Sequence, residues 1–120
     1  MKTAKSQLEA SLAFCAFSDP TRLRILHLLH TGEICVGDVV NIIKVPQPKV
    51  SRHLAYLRKA KLVVTRREGA WTIYALSPAQ NALHKKLLEC LAHCFETVPE
   101  IKTDTLAARR LRKSGGCCPR

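Results

Sequence analysis

The sequence lacks any apolar stretch long enough to cross a membrane. No run approaches the ~18 consecutive apolar residues that a membrane-spanning helix needs, although 47% of the 120 residues are hydrophobic. The polar start from Met1 to Lys5, and Glu9 within the apolar stretch that follows, do not fit a signal peptide. We therefore expect a cytoplasmic protein with no membrane partner, folded around one core.

Sequence features typical of enzymes are also lacking. The chain has no glycine-rich phosphate loop and no paired carboxylates. A nucleophilic dyad of Cys94 with its neighbour His93 is disfavoured, because adjacent residues on a helix project about 100° apart. We expect neither an enzyme nor a small organic substrate.

Acidic residues are scarce. Nine Asp and Glu stand against 20 Lys and Arg, which leaves a formal net charge of +11. Such an excess is typical of chains that meet nucleic acid or an anionic membrane surface. Eight of the basic residues lie in one acid-free segment, positions 44 to 67. This concentration favours a nucleic-acid-binding surface over a basic surface selected only for solubility.

The segment around these basic residues has the pattern of a helix-turn-helix. Apolar spacing predicts helices over residues 6–17, 21–30, 36–43 and 47–61. The last two are joined by a turn of about three residues that ends at Pro46. Val50, Leu54 and Leu57 follow the i, i+4, i+7 spacing of a buried helix face.

A β-hairpin and further helices are expected after this pair. Two β-rich runs, 62–67 and 71–76, flank a short loop containing Gly69 and predict a wing. Ser77-Pro78-Ala79-Gln80 resembles a capping box, so we expect the last long helix to run from there to about Phe95. A final basic helix is expected over residues 104–113. The fold class is thus mainly α with a β-hairpin wing, a winged helix-turn-helix.

Candidate DNA contacts follow from this placement. The N-terminal end of the second helix of such a pair enters the major groove. We expect contacts to base edges and nearby phosphates from Gln47, Lys49, Ser51, Arg52 and His53. On the wing strand, Arg66 and Arg67 lie on opposite faces, so one of the two should reach backbone phosphate or the minor groove.

Three motifs follow one another at a specific spacing. They are Ser18-Asp19-Pro20-Thr21-Arg22-Leu23-Arg24-Ile25-Leu26, Gly32-Glu33-Ile34-Cys35-Val36-Gly37-Asp38-Val39 and Gln47-Pro48-Lys49-Val50-Ser51-Arg52-His53-Leu54. With the wing residues Arg67-Glu68-Gly69 and Tyr74, they resemble the ArsR/SmtB family of bacterial metal- and metalloid-responsive repressors over residues 8–95. The resemblance implies a homodimer built on the first and last long helices. It also implies a two-fold symmetric operator that the dimer leaves when an inducer binds.

This resemblance suggests two parts for the chain. Residues 1–96 would form the DNA-binding and dimerisation domain, and residues 97–120 a C-terminal basic helix with a cysteine-containing tail.

The six cysteines are expected to be thiols, as in other proteins of a reducing cytosol. Cys90 and Cys94 lie four residues apart on the last long helix and so share a face, although buried packing would also explain them. No core explains Cys117 and Cys118 in the tail. Arsenite or antimonite takes three soft thiolates. As(III) or Sb(III) is therefore the expected inducer, with ligands among Cys90, Cys94, Cys117 and Cys118.

Two other cysteines fit packing better. Cys35 matches the first cysteine of the family's arsenite motif Glu-Leu-Cys-Val-Cys-Asp-Leu, but Gly37 and Val40 stand where further cysteines fall. We expect Cys35 to be packed in the core. Cys15 lies on the apolar stripe of the first helix and is expected to be buried there, unless it joins the helical thiol pair across a dimer.

Three alternatives remain open. Zinc or cadmium would bind through His93 with Cys90 and Cys94, since mixed nitrogen and sulfur ligands suit zinc. A redox or persulfide sensor would switch through a disulfide. A sequence-nonspecific architectural protein would bind operator and scrambled DNA equally at fixed salt.

Overall fold

A computed structural model describes residues 2–115 of the chain, with side chains described for residues 10–115. The helices are α1 (Lys2–Phe17), α2 (Pro20–His30), α3 (Val36–Ile43), α4 (Gln47–Lys59), α5 (Ala82–His93) and α6 (Pro99–Lys113). The strands are β1 (Ile34–Cys35), β2 (Val63–Glu68) and β3 (Trp71–Leu76). Between residues 2 and 115, no helix combines the length and apolar character needed to span a bilayer.

The three strands form one antiparallel sheet in the order β1-β3-β2. β2 and β3 make the wing hairpin, from the pair Val63 and Leu76 to the pair Glu68 and Trp71. Gly69 has a φ of 62° in the loop between them, which a residue without Cβ adopts at little cost. β1 pairs Ile34 with Tyr74 and ties the start of α3 to the base of the wing. The predicted winged helix-turn-helix is therefore confirmed.

Helix α2 is the centre of the core, because it packs against all five other helices. Its Ile25, Leu26 and Leu28 are 0–1% exposed. From α4, Val50, Leu54 and Leu57 pack into the same cluster. The apolar spacing read from the sequence thus matches the buried side of the helix-turn-helix.

Several predicted helix ends differ from the structure. α4 ends at Lys59 and not at residue 61, where Lys61 has a left-handed φ of 64°. α5 begins at Ala82, because the Asn81 side chain accepts a hydrogen bond from the His84 N–H. The predicted capping box at Ser77 is therefore wrong. The Ser77 hydroxyl instead donates to the Pro78 carbonyl at 3.3 Å.

The C-terminal helix is longer than expected. α6 begins at Pro99 rather than Asp104, with proline in its first turn. Its buried residues Ile101, Asp104 and Ala108 are spaced three and four apart, so they form one stripe. That stripe lies against α2 and α3. The tail residues Cys117 and Cys118 lie outside the described part of the chain.

The N-cap of α2 provides a stability test. Asp19 accepts a hydrogen bond of 3.0 Å from the Arg22 N–H. Asp19→Ala should therefore lower the free energy of unfolding by about 1 kcal/mol, measured by urea titration at neutral pH. The same hydrogen bond lowers the pKa of Asp19 from its usual 3.8. Its charge-dependent contribution is present above that value and is lost as the pH falls through the lower folded pKa.

Asp19→Asn is the matched control for this test, since asparagine caps about as well as aspartate. It should keep most of the stability at neutral pH but lose the dependence on acid. An equal loss of stability in both variants would contradict the capping role.

Candidate nucleic-acid interface and thiol pair

The outer side of α4 carries the predicted DNA contacts. Burial of Val50, Leu54 and Leu57 turns the opposite side of the helix to solvent. Four of the predicted residues are exposed there, namely Gln47, Lys49, Ser51 and Arg52. Two of them are cations, and the described residues of α4 include no acid. This surface can approach a polyanion without an acidic side chain of its own helix.

His53, the fifth predicted contact, is only half-exposed and sits at the edge of this surface. Its Nε2 lies 4.0 Å from a carboxylate oxygen of Asp19 at the start of α2. Beside it, the Arg22 guanidinium lies 4.1 Å from the centre of the Tyr56 ring. The helical spacing predicts that Tyr56 projects outward, but its ring is half-buried and lies against the Arg22 guanidinium of α2.

Arg22 also fixes the end of α1. Its Nε donates to the Ala16 carbonyl at 3.2 Å, and its Nη2 donates to the Cys15 carbonyl at 2.9 Å. These carbonyls belong to the last turn of α1, where the helix leaves acceptors unsatisfied. One arginine of the first motif thus joins α1, α2 and α4.

The two wing arginines have different surroundings. Arg66 donates to Glu33 at 2.6 Å and to Glu68, and these hydrogen bonds raise the pKa of Arg66, with Glu33 the larger cause. Arg67 lies on the other face of β2 and is exposed. Among residues 10–115, no acidic side chain pairs with Arg67, whereas Arg66 has two such partners.

Two further arginines form hydrogen bonds to other parts of the protein. Arg24 pairs with the buried carboxylate of Asp104, 80 positions away in the sequence. Arg112 donates to the Thr31 hydroxyl at 2.7 Å and to the Gly32 carbonyl at 3.1 Å. Sequence reasoning missed both, since no local pattern marks a partner at that separation.

Cys90 and Cys94 form a thiol pair at the end of α5. Cys90 is half-buried, Cys94 is exposed at the C-cap, and both are free thiols. A hydrogen bond to the Cys94 thiol raises the pKa of Cys90, and partial burial adds to the effect. The structure therefore brings together the helical pair that the spacing predicted.

The pair has no third ligand among residues 10–115. No group of three His, Cys, Asp or Glu in that range is arranged to hold a metal ion. His93 is exposed. His84 is buried, which lowers its pKa, and its Nδ1 accepts from the Gln80 N–H at 3.2 Å.

Cys15 and Cys35 each differ in one respect from what the sequence predicts. Cys15 is exposed, so the prediction that it is buried is wrong within one protomer. Cys35 is 1% exposed at the start of α3, which agrees with a packed position. It is, however, disulfide-bonded, and the expectation of a free thiol is wrong there.

Comparison with known proteins places this geometry in a family. The family model described as bacterial regulatory protein, arsR family, matches residues 19–65. An uncharacterized HTH-type transcriptional regulator of Methanocaldococcus jannaschii is 48% identical over 67 residues, covering 55% of this chain and 75% of that protein. The arsenical resistance operon repressor of Escherichia coli is 42% identical over 82 residues, covering 68% and 70%.

The chain belongs to the arsR family. It is therefore a DNA-binding transcriptional regulator and not an enzyme, as the sequence predicted. Solved structures agree with this assignment. HlyU of Vibrio cholerae superimposes with a TM-score of 0.64 at 33% identity, covering 75% of this chain and 97% of HlyU. A cadmium sensor of Mycobacterium tuberculosis gives a TM-score of 0.54 at 30% identity, covering 74% and 83%.

Because members of the family bind DNA, we expect the exposed cations of α4 and the wing to contribute to operator affinity. Arg52→Ala should weaken operator binding by about 1–3 kcal/mol if Arg52 reads a base, and Arg67→Ala should reduce the salt slope by about one if Arg67 meets a phosphate. Fluorescence anisotropy with labelled operator at several salt concentrations measures both.

Lys102→Ala is the control for these variants. It removes the same charge from an exposed position of α6, outside the helix-turn-helix. An equal loss of affinity in all three variants would show a general charge effect and contradict the assigned contacts.

Proposed function

We propose that this arsR-family regulator is a homodimeric repressor that trivalent arsenic or antimony releases from its operator. The inducer would bind thiolates drawn from Cys90, Cys94, Cys117 and Cys118. The observation that carries this proposal is the pair of neighbouring free thiols, Cys90 and Cys94, one turn apart at the end of α5. The name of the Escherichia coli relative, an arsenical resistance repressor, supports the choice of ion.

The chemistry of the ion fits protonated thiols. Arsenous acid exchanges its three hydroxyls for three thiolates, so three S–As bonds form while three As–O bonds break and water leaves with the thiol protons. A raised pKa at Cys90 is therefore no obstacle to the reaction. α5 supplies two sulfur atoms, and the tail cysteines would supply the third.

On the DNA side, the repressor would use the outer surface of α4 and the wing. Gln47, Lys49, Ser51 and Arg52 would meet the major groove, with His53 at the edge and Arg67 on the flanking backbone. In a two-fold dimer, the two α4 helices would enter half-sites about 34 Å apart. Such a fixed spacing tolerates little change in the relative placement of the protomers.

The dimer would form through α1 and α5, which the family resemblance implies. α1 presents Phe14 to solvent with 57% of its surface exposed, next to the exposed thiol of Cys15. A large exposed aromatic side chain on a terminal helix fits a surface that a second copy covers. An inducer bound at the end of α5 would then lie close to the dimer contact.

A redox-responsive repressor is the second candidate, and the disulfide at Cys35 favours it. Mass spectrometry after mild peroxide treatment would identify the linked residues. A specific intramolecular link that abolishes operator binding would support this candidate, and a metalloid bound at stoichiometric ratio would support the first. Zinc or cadmium through His93 and the thiol pair is a third ligand choice, and one structural neighbour is a cadmium sensor.

Serine variants of the thiol pair test the proposal. Cys90→Ser and Cys94→Ser should bind operator as the wild type does, because neither lies on α4 or the wing. They should lose most of the release by arsenite, because an alcohol does not replace a soft thiolate. The measurement is anisotropy of labelled operator, titrated with arsenite under anaerobic conditions.

Cys15→Ser is the matched thiol control, since Cys15 is also a free, exposed cysteine. It should respond as the wild type does. Normal arsenite release in both α5 variants and in a Cys117→Ser/Cys118→Ser variant would show that the proposed ligands are wrong.

A further inference from the structure

Helix α6 is joined to the helix-turn-helix by a buried ion pair. The Arg24 guanidinium donates to both oxygens of Asp104, at 2.8 and 2.9 Å. Asp104 is 2% exposed, and a bidentate pair of this kind has a fixed geometry. The same arginine reaches the Ile43 carbonyl at 3.4 Å. Ile43 ends α3, immediately before the turn that leads into α4.

A second link joins the other end of α6 to the wing. Arg112 contacts the turn between α2 and β1, through the Thr31 hydroxyl and the Gly32 carbonyl. The next residue in that turn is Glu33, whose carboxylate accepts from Arg66 on β2 at 2.6 Å. The links therefore run from α6 through the turn to the wing strand.

α6 packs less closely against α5 than against α2 and α3. A cavity of about 490 Å³ separates the two helices and is lined by Ala92 from α5, Ile101 and Thr105 from α6, and His27 from α2. The connection between them is short, because Cys94 caps α5 and Pro99 begins α6. A displacement at Cys94 would therefore reach the start of α6 through only four intervening residues.

We propose that α6 positions both DNA-contacting elements: the Asp104–Arg24 pair holds the turn before α4, and Arg112 holds the wing through Glu33 and Arg66. Arg24 and Arg112 are then positioning residues for DNA binding, although neither is placed among the DNA contacts. The further role of α6, which is to transmit inducer binding at Cys90 and Cys94 to these elements, rests on the proposed function. The positioning of the turn and the wing does not.

The wing provides its own reporter for this proposal. Trp71 is the only tryptophan of the chain, and it pairs with Glu68 at the wing loop. Arg112→Gln should free the turn and hence the wing. We expect a larger acrylamide quenching constant for Trp71 and operator affinity reduced roughly tenfold, a typical size for coupling between two sites.

Arg109→Gln is the matched control, because it removes the same charge from an exposed position one turn earlier on α6. It should change neither the Trp71 quenching nor the affinity. If both variants lose affinity equally while Trp71 is unchanged, the cations of α6 touch DNA directly and the positioning role is overturned.

Asp104 variants test the other link. Asp104→Asn should weaken operator binding, and arsenite should then lower the affinity by a smaller factor than in the wild type. Asp104→Glu, which keeps the charge, should restore part of both. Urea unfolding and circular dichroism measure the fraction of folded protein in each sample. The affinities are then calculated for that folded fraction. Wild-type affinity and arsenite response in folded Asp104→Asn would overturn the proposal for this link.

The two proposals fail in different ways. A wild-type protein that arsenite does not release from DNA contradicts the proposed inducer alone, because the Trp71 and affinity measurements need no inducer. An unchanged Trp71 and unchanged affinity in Arg112→Gln contradict the role of α6 in holding the wing, whatever ion binds the thiols.

Discussion

Burial of one side of α4 is the constraint on which the DNA-binding surface depends. Val50, Leu54 and Leu57 are at most 1% exposed, and they pack on α2 at the centre of the core. A helix with three side chains fixed in this way cannot rotate about its axis without opening a cavity. The polar side chains at its N-terminal end therefore have one direction in which to point. The same packing that stabilises the fold presents the surface that meets DNA.

The basic residues fall into two groups that composition alone does not separate. Lys49, Arg52 and Arg67 keep their side chains in solvent. Arg22, Arg24 and Arg112 donate to carbonyls at or just beyond helix ends or to a buried carboxylate. Arg24 and Arg112 thereby join elements that are 80 positions apart in the sequence. A count of 20 basic residues thus overstates the number of cations offered to a phosphate backbone. It also hides how much of the tertiary structure depends on arginine.

Local patterns predicted the local elements well. α3 and β3 have the ends that the sequence indicated, because a proline, a glycine turn or an apolar alternation marks each of them. The start of α5 was missed because Asn81 and Ser77 both suit an N-cap and only the tertiary structure selects one. β1 has two residues, too few for a periodic signal. The burial of Cys15 was predicted wrongly, because exposure depends on the packing of distant segments. The same packing gives Arg66 a partner at Glu33 that no local pattern indicates.

Gly32 occupies a position that serves two parts of the molecule. Its φ is 141°, and a Cβ placed there would lie 3.2 Å from the Arg112 guanidinium. An alanine would strain the turn whatever its neighbours and would also move the arginine by a few tenths of an ångström, so Gly32 is restricted both by its φ and by Arg112. Among relatives that retain a helix equivalent to α6, glycine at this position and arginine at the helix end should be inherited as a pair. In relatives that lack the helix, the glycine is restricted by its φ alone. Sequence covariation between the two positions should therefore be confined to relatives that have the helix.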